Sequence, residues 1–205
     1  PNLSRLRLSS IDPAEIDEDL FDLFKFEKRL MPYLHLSLQS GDNLILKRMK
    51  RRHNREMVLG ICNNLKSFRK NITFGADLIV GFPTETEEHF QNSMDLISKC
   101  QISNVHIFPF SPKEGTPAAK MPQVKKELIN ERVLIAKRFS ENIKKKIMQK
   151  KIGMKETFLY ESDSLSYTDN YFKVVLRSQK NKIKSGSLIR AKVISINDGK
   201  FQVEV

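Results

Sequence analysis

Apolar and polar positions follow two different periods along this chain, and the change from one period to the other divides the sequence. Up to about residue 151, short segments with a two-residue repeat alternate with longer segments whose apolar residues recur every three or four positions. These repeats are typical of strands and of helices with one apolar face. Because strand and helix alternate at intervals of about 30–40 residues, the pattern predicts βαβ units and a parallel sheet.

The first part is predicted to contain four strands and five helices. Asp12 can cap the first turn of a helix, and Pro13 is tolerated at the first helical position because the N–H it lacks would have no partner there. The two residues therefore favour a helix that starts here and continues to about Arg29. Thr84 and Glu87 have the spacing of a capping box for a later helix. The predicted strands cover 3–10, 33–39, 72–81 and 105–110. The other predicted helices cover 42–49, 54–68, 84–100 and 123–151.

The segment after Gly153 has a different pattern, that of short strands separated by turns. Strands are predicted over 157–161, 171–176, 187–196 and 201–205, with turns at 162–163, 185–186 and 198–199. This pattern predicts a small all-β, OB-like barrel, an architecture that often binds nucleic acid. We therefore expect two domains, with residues 1–151 forming the α/β domain and residues 152–205 forming the barrel.

The predicted parallel strands carry polar side chains where such strands are usually apolar throughout. On one face they carry Arg5, Arg7 and Ser9, then His35, Ser37 and Gln39, then Asp77, then His106 and Phe108. A carboxylate inside an apolar strand is costly unless it finds hydrogen-bond partners. We therefore expect these faces to meet in a polar cavity at the C-terminal ends of the strands of an open, TIM-like α/β barrel. An antiparallel sheet with one wet polar face is the alternative.

Positive charge dominates the sequence, with 36 Lys and Arg against 24 Asp and Glu and a formal net charge of +12. Six basic residues fall between positions 47 and 55. They form either a solvated helix face or a site for a substrate carboxylate or RNA phosphate. In the barrel segment, Tyr167, Tyr171 and Phe172 lie near Lys173 and Arg177. Such aromatic and basic residues suit base stacking and phosphate contact, although barrel core is the alternative.

Several classes of protein are excluded by what the sequence lacks. No apolar run approaches the ~18 residues of a membrane span, and no cationic leader precedes an apolar stretch. Cys62 and Cys100 are too few for a disulfide scaffold or a cysteine-rich metal site, which favours a reducing cytoplasm. The four histidines lack zinc-like spacing, so no metal site is expected. Because the chain opens at Pro1 without a methionine, we expect it to be part of something longer.

Several motifs carry a resemblance to a known family. They are Arg7–Ile11, His35–Gly41, Leu46–His53, Gly75–Thr86 and His106–Ala118. In order and spacing they resemble the radical S-adenosylmethionine (SAM) methylthiotransferases, and the segment Tyr167–Tyr171 resembles the TRAM RNA-binding domain of that family. Among subfamilies, the chain looks most like the enzymes acting on N6-threonylcarbamoyladenosine in tRNA. The isopentenyladenosine enzymes come next.

The resemblance implies addition of a methylthio group to C2 of a modified adenosine beside the tRNA anticodon. In the family, a four-iron cluster reduces SAM, and a deoxyadenosyl radical abstracts hydrogen. Carried over by position, Gln39 would contact the SAM ribose, Arg51 its carboxylate, and Asp77 a ribose hydroxyl or its surroundings. The resemblance also implies that His35 and Ser37 line the same strand end and that His106 and Phe108 border adenine or substrate. The residues expected to bind RNA are Arg52, Tyr167, Tyr171, Lys173 and Arg177.

One departure from the family pattern is large. The three-cysteine motif that holds the [4Fe-4S] cluster is absent, and Cys62 and Cys100 fall in the wrong places to replace it. We therefore expect this chain to be the C-terminal portion of such an enzyme, unable to cleave SAM by itself. Its expected partners are the tRNA anticodon region and a separate polypeptide that carries the cluster motifs. An RNA-binding remnant without catalysis, or one without function, is the alternative.

Overall fold

The computed structural model describes residues 3–162, 166–177 and 183–204. The predicted turn at 162–163 lies partly outside these ranges, and so does residue 205 of the last predicted strand. None of the helices in the described ranges is both long and apolar enough to cross a membrane.

Four parallel strands form an open sheet, as the alternation of strand and helix predicts. The strands are β1 (Ser10–Ile11), β2 (Tyr33–Gln39), β3 (Thr73–Val80) and β4 (Ile102–Pro109), and they neighbour one another in chain order. Each connection carries helix across one face of the sheet, which is the usual route between parallel strands. All of the carboxyl ends of these strands therefore lie at one edge of the sheet.

Five α-helices cover the apolar face of this sheet. They are α1 (Glu18–Phe26), α2 (Asn43–Arg48), α3 (Arg55–Phe68), α4 (Glu87–Cys100) and α5 (Lys126–Gln149). Leu34, Leu36 and Leu38 of β2 are buried against Leu65 of α3 and Leu96 of α4 in one apolar core. The strands therefore turn their leucines towards the helices and leave their other face for polar side chains.

The structure corrects three predicted elements of this part. The first strand is reduced to Ser10–Ile11, because the chain before it pairs only through one isolated bridge, between Leu6 and Leu30. Asp12 does cap a helical turn, but that turn is a 3₁₀ segment, and α1 starts afresh with Asp17 as its cap. The capping box before α4 is formed by Thr86 with His89, and not by Thr84.

The last part of the chain is a closed five-stranded barrel. Its strands are β5 (Lys155–Tyr160), β6 (Ser166–Thr168), β7 (Lys173–Leu176), β8 (Leu188–Asn197) and β9 (Lys200–Glu204). The short strand β6 is absent from the sequence prediction. Phe158, Phe172 and Phe201 fill the interior, so Phe172 belongs to the barrel core.

Polar contacts join the barrel to the sheet. The hydroxyl of Thr73 donates to the carbonyl of Asn170 at 2.6 Å, and Arg5 pairs with Asp169 at 3.1 Å. The Arg7 guanidinium donates to the carbonyl oxygens of residues 168 and 169 at 3.2–3.3 Å. These bonds place the loop after β6 beside the start of β2 and β3.

Candidate cofactor and RNA site

Asp77 is the centre of a polar network that spans four strands. Its Oδ1 lies 3.2 Å from Nε2 of His35 and 3.3 Å from Nδ1 of His106. The hydroxyl of Ser10 donates to its Oδ2 at 3.3 Å and lies 2.8 Å from the hydroxyl of Ser37. The carboxylate of β3 therefore finds the partners that its place in an apolar strand requires. The structure brings four predicted site residues together here, namely His35, Ser37, Asp77 and His106.

Strand register explains why these side chains meet. Asp77 is opposite His106 on β4, and His35 on β2 is opposite Gly75, two residues before Asp77 on the same face. A Cβ atom at Gly75 would lie 2.1 Å from the hydroxyl of Tyr33 and 2.5 Å from Nδ1 of His35. Gly75 thus makes room for the 2.9 Å contact between Tyr33 and His35. That contact orients the imidazole towards Asp77.

His35, Asp77 and His106 are also residue types that bind transition metals. Their ligand atoms all lie within 4.8 Å of one another. Nε2 of His35 has the Asp77 carboxylate as its hydrogen-bond partner, and Nδ1 of His106 lies 3.3 Å from the same carboxylate oxygen.

Two small cavities meet at Asp77, each of about 320 Å³. The first lies beyond the ends of β2 and β3 and is bordered by Gln39, Ile79 and Phe108. The second is bordered by Ser10, Tyr33, His35, His106 and Tyr171. Gln39 ends β2 with φ of 63°, a left-handed conformation that is uncommon outside glycine. The cavities place Gln39 and Phe108 beside Asp77, where the parallel strands end.

Arg51 lies at the same edge of the sheet, between α2 and α3. It donates to the carbonyl of Ser37 at 3.0 Å and to Oδ2 of Asp12 at 3.1 Å. Its Nε is buried and has no hydrogen-bond partner among the described residues. Burial acts to raise the pKa of Asp12, but the backbone N–H of Ala14 and the charge of Arg51 hold it below its ordinary value. Asp12 therefore remains charged and fixes the guanidinium.

The residues of this site fit SAM but do not fit an iron–sulfur cluster. The buried Nε–H of Arg51 has no partner among the described residues, and such an orphaned guanidinium donor suits a carboxylate ligand. Cys62 on α3 and Cys100 on α4 are buried on the helix side of the sheet. The neighbouring Cys100 thiol and burial raise the pKa of Cys62. Two such thiols cannot supply the ligands that a four-iron cluster needs.

The residues predicted to bind RNA are not brought together in one place. Arg52 lies near the strand ends and pairs with Glu15 at 2.7 Å. Tyr167 stacks on Tyr171 with ring centroids 4.8 Å apart, at the junction of barrel and sheet. Lys173 is exposed at the start of β7 and faces α5, and Arg177 is exposed just after β7.

The ring of Tyr171 contacts several side chains of this protein, unlike an aromatic ring that is left free to stack on RNA bases. Its ring centroid lies 4.6 Å from that of Tyr33, and the guanidinium carbon of Arg7 lies 4.7 Å from it. Tyr171 therefore links the barrel to the polar network through Tyr33. Tyr167, which is only partly buried, forms the outer end of the stack.

The sequence analysis missed three residues of the site. Tyr33 shares the two-residue repeat of His35, Ser37 and Gln39, so the same pattern could have identified it. Ser10 was missed because the predicted alternation placed Ser9 on the polar face, whereas in the structure Ser10 pairs with His35 and its hydroxyl donates to Asp77. The role of Asp12 in holding Arg51 has no local sequence signal.

Comparisons with known proteins place these observations in a family. Residues 5–97 match the radical SAM superfamily. The chain is 44% identical over 199 residues to the threonylcarbamoyladenosine tRNA methylthiotransferase MtaB of Rickettsia prowazekii, covering 97% of this chain and 47% of that protein. It is 33% identical to the MtaB of Bacillus subtilis, with the same two coverages. It is 38% identical to the tRNA-2-methylthio-N(6)-dimethylallyladenosine synthase of Ehrlichia canis, over 79% of this chain and 37% of that protein.

Solved structures show the same fold at low sequence identity. Coproporphyrinogen III oxidase HemN of Escherichia coli, a radical SAM enzyme, matches with a TM-score of 0.52 at 17% identity, covering 66% of this chain and 32% of that one. Elp3 of Methanocaldococcus infernus matches with a TM-score of 0.52 at 19% identity, covering 72% and 42%. The chain spans about half the length of the MtaB relatives. Residues 5–97 thus match the model of the radical SAM superfamily, and the chain as a whole is similar to proteins named as tRNA methylthiotransferases.

Proposed function

We propose that this chain is the C-terminal portion of a tRNA methylthiotransferase that adds a methylthio group to C2 of N6-threonylcarbamoyladenosine beside the anticodon. The observation that carries the proposal is the network around Asp77, which lies at the strand ends of the superfamily region. The similarity to the Rickettsia relative extends over 97% of the chain and so includes both the sheet and the barrel.

The strand-end cavity is proposed as the part of the enzyme that holds SAM. Gln39 and Asp77 would bind its ribose, and the free Nε–H of Arg51 would donate to its carboxylate. His35 contacts Asp77 from β2, and Ser37 contacts the Ser10 hydroxyl that donates to Asp77. His106 and Phe108 would border the adenine or the substrate base. When bound, SAM would supply the radical chemistry, and the residues of this chain supply its placement.

The cluster ligands are proposed to lie outside this chain, because its two cysteines are buried against each other behind the sheet. A segment of the same protein, or a separate polypeptide, would then bring the [4Fe-4S] clusters to the polar edge. On this proposal the 205 residues bind SAM and RNA but do not cleave SAM.

The anticodon region of a tRNA is proposed as the macromolecular partner. The proposed contacts are Arg52, Tyr167, Tyr171, Lys173 and Arg177. The net charge of +12 supports attraction to a polyanion, and the Tyr167–Tyr171 stack ends beside the cavity that holds His35 and His106. A cytoplasmic location is part of this proposal, because that is where such a substrate is available.

The isopentenyladenosine enzymes are the second candidate, since a dimethylallyladenosine synthase is 38% identical to this chain. That match covers 79% of the chain, whereas the threonylcarbamoyladenosine relatives match over 97%. The longer similarity, which in the Rickettsia relative also has the higher identity, favours the threonylcarbamoyl substrate.

A fusion protein tests the proposal. The N-terminal half of the Rickettsia relative is joined ahead of residue 5, its clusters are reconstituted, and the fusion is incubated with SAM and tRNA that carries each candidate nucleoside. We expect mass spectrometry of the digested tRNA to show 2-methylthio-N6-threonylcarbamoyladenosine. The matched control replaces the cysteines of the added half with alanine and yields no product.

The products distinguish the candidates. A methylthio group found on isopentenyladenosine alone would favour the second candidate. A reconstituted fusion that cleaves SAM and binds tRNA but leaves both nucleosides unchanged would contradict a methylthiotransferase function. A remnant that only binds RNA would show tRNA binding without SAM cleavage.

A further inference from the structure

A basic groove separates α5 from the barrel, on a different part of the molecule from the strand-end cavity. Its volume is about 960 Å³, and it is bordered by the last turns of α5, the start of β7 and the β8–β9 hairpin. Its cationic side chains are Lys144 and Lys145 of α5, Lys173 of β7 and Lys200 of β9. Two carboxylates, Glu141 and Asp198, share the lining.

The lysines of this groove are poorly neutralised by the chain itself. Among the described residues, the ion pairs do not include Lys144, Lys145 or Lys173. Lys200 lies 3.9 Å from Asp198, which is almost fully exposed to solvent. Exposed pairs of this kind contribute little. The groove therefore has an excess of positive charge that its own carboxylates do not balance.

Lys144 is not an ordinary solvated lysine. Burial between α5 and the barrel lowers its pKa, and the positive charge of Lys173 lowers it further, while Glu141 acts in the opposite direction. Holding two ammonium groups close together, one of them partly desolvated, makes the free protein less stable. An anion bound between them would remove this cost.

We propose that this groove binds consecutive phosphate groups of the RNA backbone. The inference rests on the proposed function, since it assigns the groove to the same tRNA. Lysines from α5, β7 and β9 line one continuous groove, which suits a chain that carries one negative charge per nucleotide. Bound there, the backbone bridges the α/β part and the barrel and so fixes the RNA relative to the strand-end cavity.

Salt-dependent binding of an unmodified tRNA transcript to the 205-residue chain tests this proposal. The variant Lys144→Gln/Lys173→Gln is compared with Lys126→Gln/Lys137→Gln, which makes the same charge change on exposed positions of α5 outside the groove. At 0.1 M salt the groove variant binds about tenfold or more weakly, and its plot of log K against log salt is shallower by about 2. The control variant stays within about twofold of the unaltered chain in affinity.

Melting temperature separates this result from damage to the fold. Because the groove variant relieves repulsion between two lysines, it melts at the same temperature as the unaltered chain or higher. If both variants bind tRNA with the same affinity and the same salt slope, while the unaltered chain binds tRNA normally, the groove does not bind RNA. The proposed function would then still stand. Competition by polyglutamate as strong as by tRNA would overturn the RNA assignment. No tRNA binding by the unaltered chain would overturn both.

Discussion

Nε2 of His35 lies 3.2 Å from Oδ1 of Asp77, across the two central strands of the parallel sheet. His35 is buried, and its other ring nitrogen contacts the hydroxyl of Tyr33. Asp77 is thus held on one side by a side chain that has no freedom to turn away. The polar strand ends form a pre-arranged site and not a loose collection of hydrophilic residues.

Replacing Asp77 with alanine tests whether this network stabilises the fold. The change leaves the buried Nε2 of His35 without its carboxylate acceptor, so we expect a loss of about 1–3 kcal/mol in the free energy of unfolding. Urea denaturation followed by circular dichroism measures the loss. The control Asp22→Ala, on the exposed face of α1, is expected to change that free energy by less than about 0.5 kcal/mol. Equal effects of the two changes would show that the network contributes nothing.

Regular parts of the fold follow from local signals. The two-residue repeat gives β2 at residues 33–39, as observed, and Asn54 caps α3 because its side chain accepts the N–H of Met57. Each signal lies within a few residues of the feature it predicts. The sequence therefore sufficed for the order of strands and helices and for the polar face of β2.

Features that depend on distant contacts could not be predicted. β6 is only three residues long, and it is a strand because β5 and β7 pair with it on both sides. The role of Asp12 in holding Arg51 joins two residues that lie 39 positions apart. Likewise, the two-residue repeat places Arg7 on the polar face of the sheet. Its hydrogen-bond partners are instead carbonyl oxygens at the end of β6 and in the loop after it. Contacts between distant residues determine these features, and such contacts leave no pattern in the local sequence.

Stability is predicted to fall on mild acidification because of His53. Burial lowers the pKa of this imidazole below its ordinary value of 6.5, and its Nε2–H donates to the carbonyl of Leu38 at 3.1 Å. Since the unfolded chain takes up the proton more readily, the free energy of unfolding decreases as pH falls below about 6.5. Urea denaturation at pH 7.5 and 5.5 measures the decrease. His53→Gln, whose amide can still donate to Leu38, should reduce it, and an unchanged decrease would contradict this assignment.

A buried ion pair holds α5 against the loop after β3. Arg132 Nη1 lies 2.8 Å from Oε1 of Glu85, and both side chains are almost fully buried. The same Glu85 oxygen accepts the N–H of Gly81. Arg132→Met leaves the buried carboxylate without its partner, so we expect a loss of about 3–5 kcal/mol in stability. The double variant Arg132→Met/Glu85→Gln should recover part of that loss in the same denaturation experiment. A loss below 1 kcal/mol for Arg132→Met would show that the pair is dispensable.

Tyr171 combines strained backbone with extensive ring contacts. Its φ is 69°, a conformation that glycine adopts without strain but other residues do not. Tyr171→Ala and Tyr171→Gly both remove the stacking on Tyr167 and Tyr33, but only glycine also relieves the strain. We therefore expect the glycine variant to melt at a higher temperature than the alanine variant, by the equivalent of about 1 kcal/mol. A more stable alanine variant would mean that the left-handed conformation is not maintained.

Binding of SAM to the 205-residue chain tests the central claim most directly, because it needs neither the clusters nor RNA. Isothermal titration calorimetry is performed on the unaltered chain, on Asp77→Ala and on the surface control Lys70→Gln. We expect the unaltered chain and the control to bind SAM with equal affinity. Asp77→Ala should bind SAM about tenfold more weakly, because one hydrogen bond is lost. Failure of the unaltered chain to bind SAM, or equal affinity in Asp77→Ala, would contradict that claim.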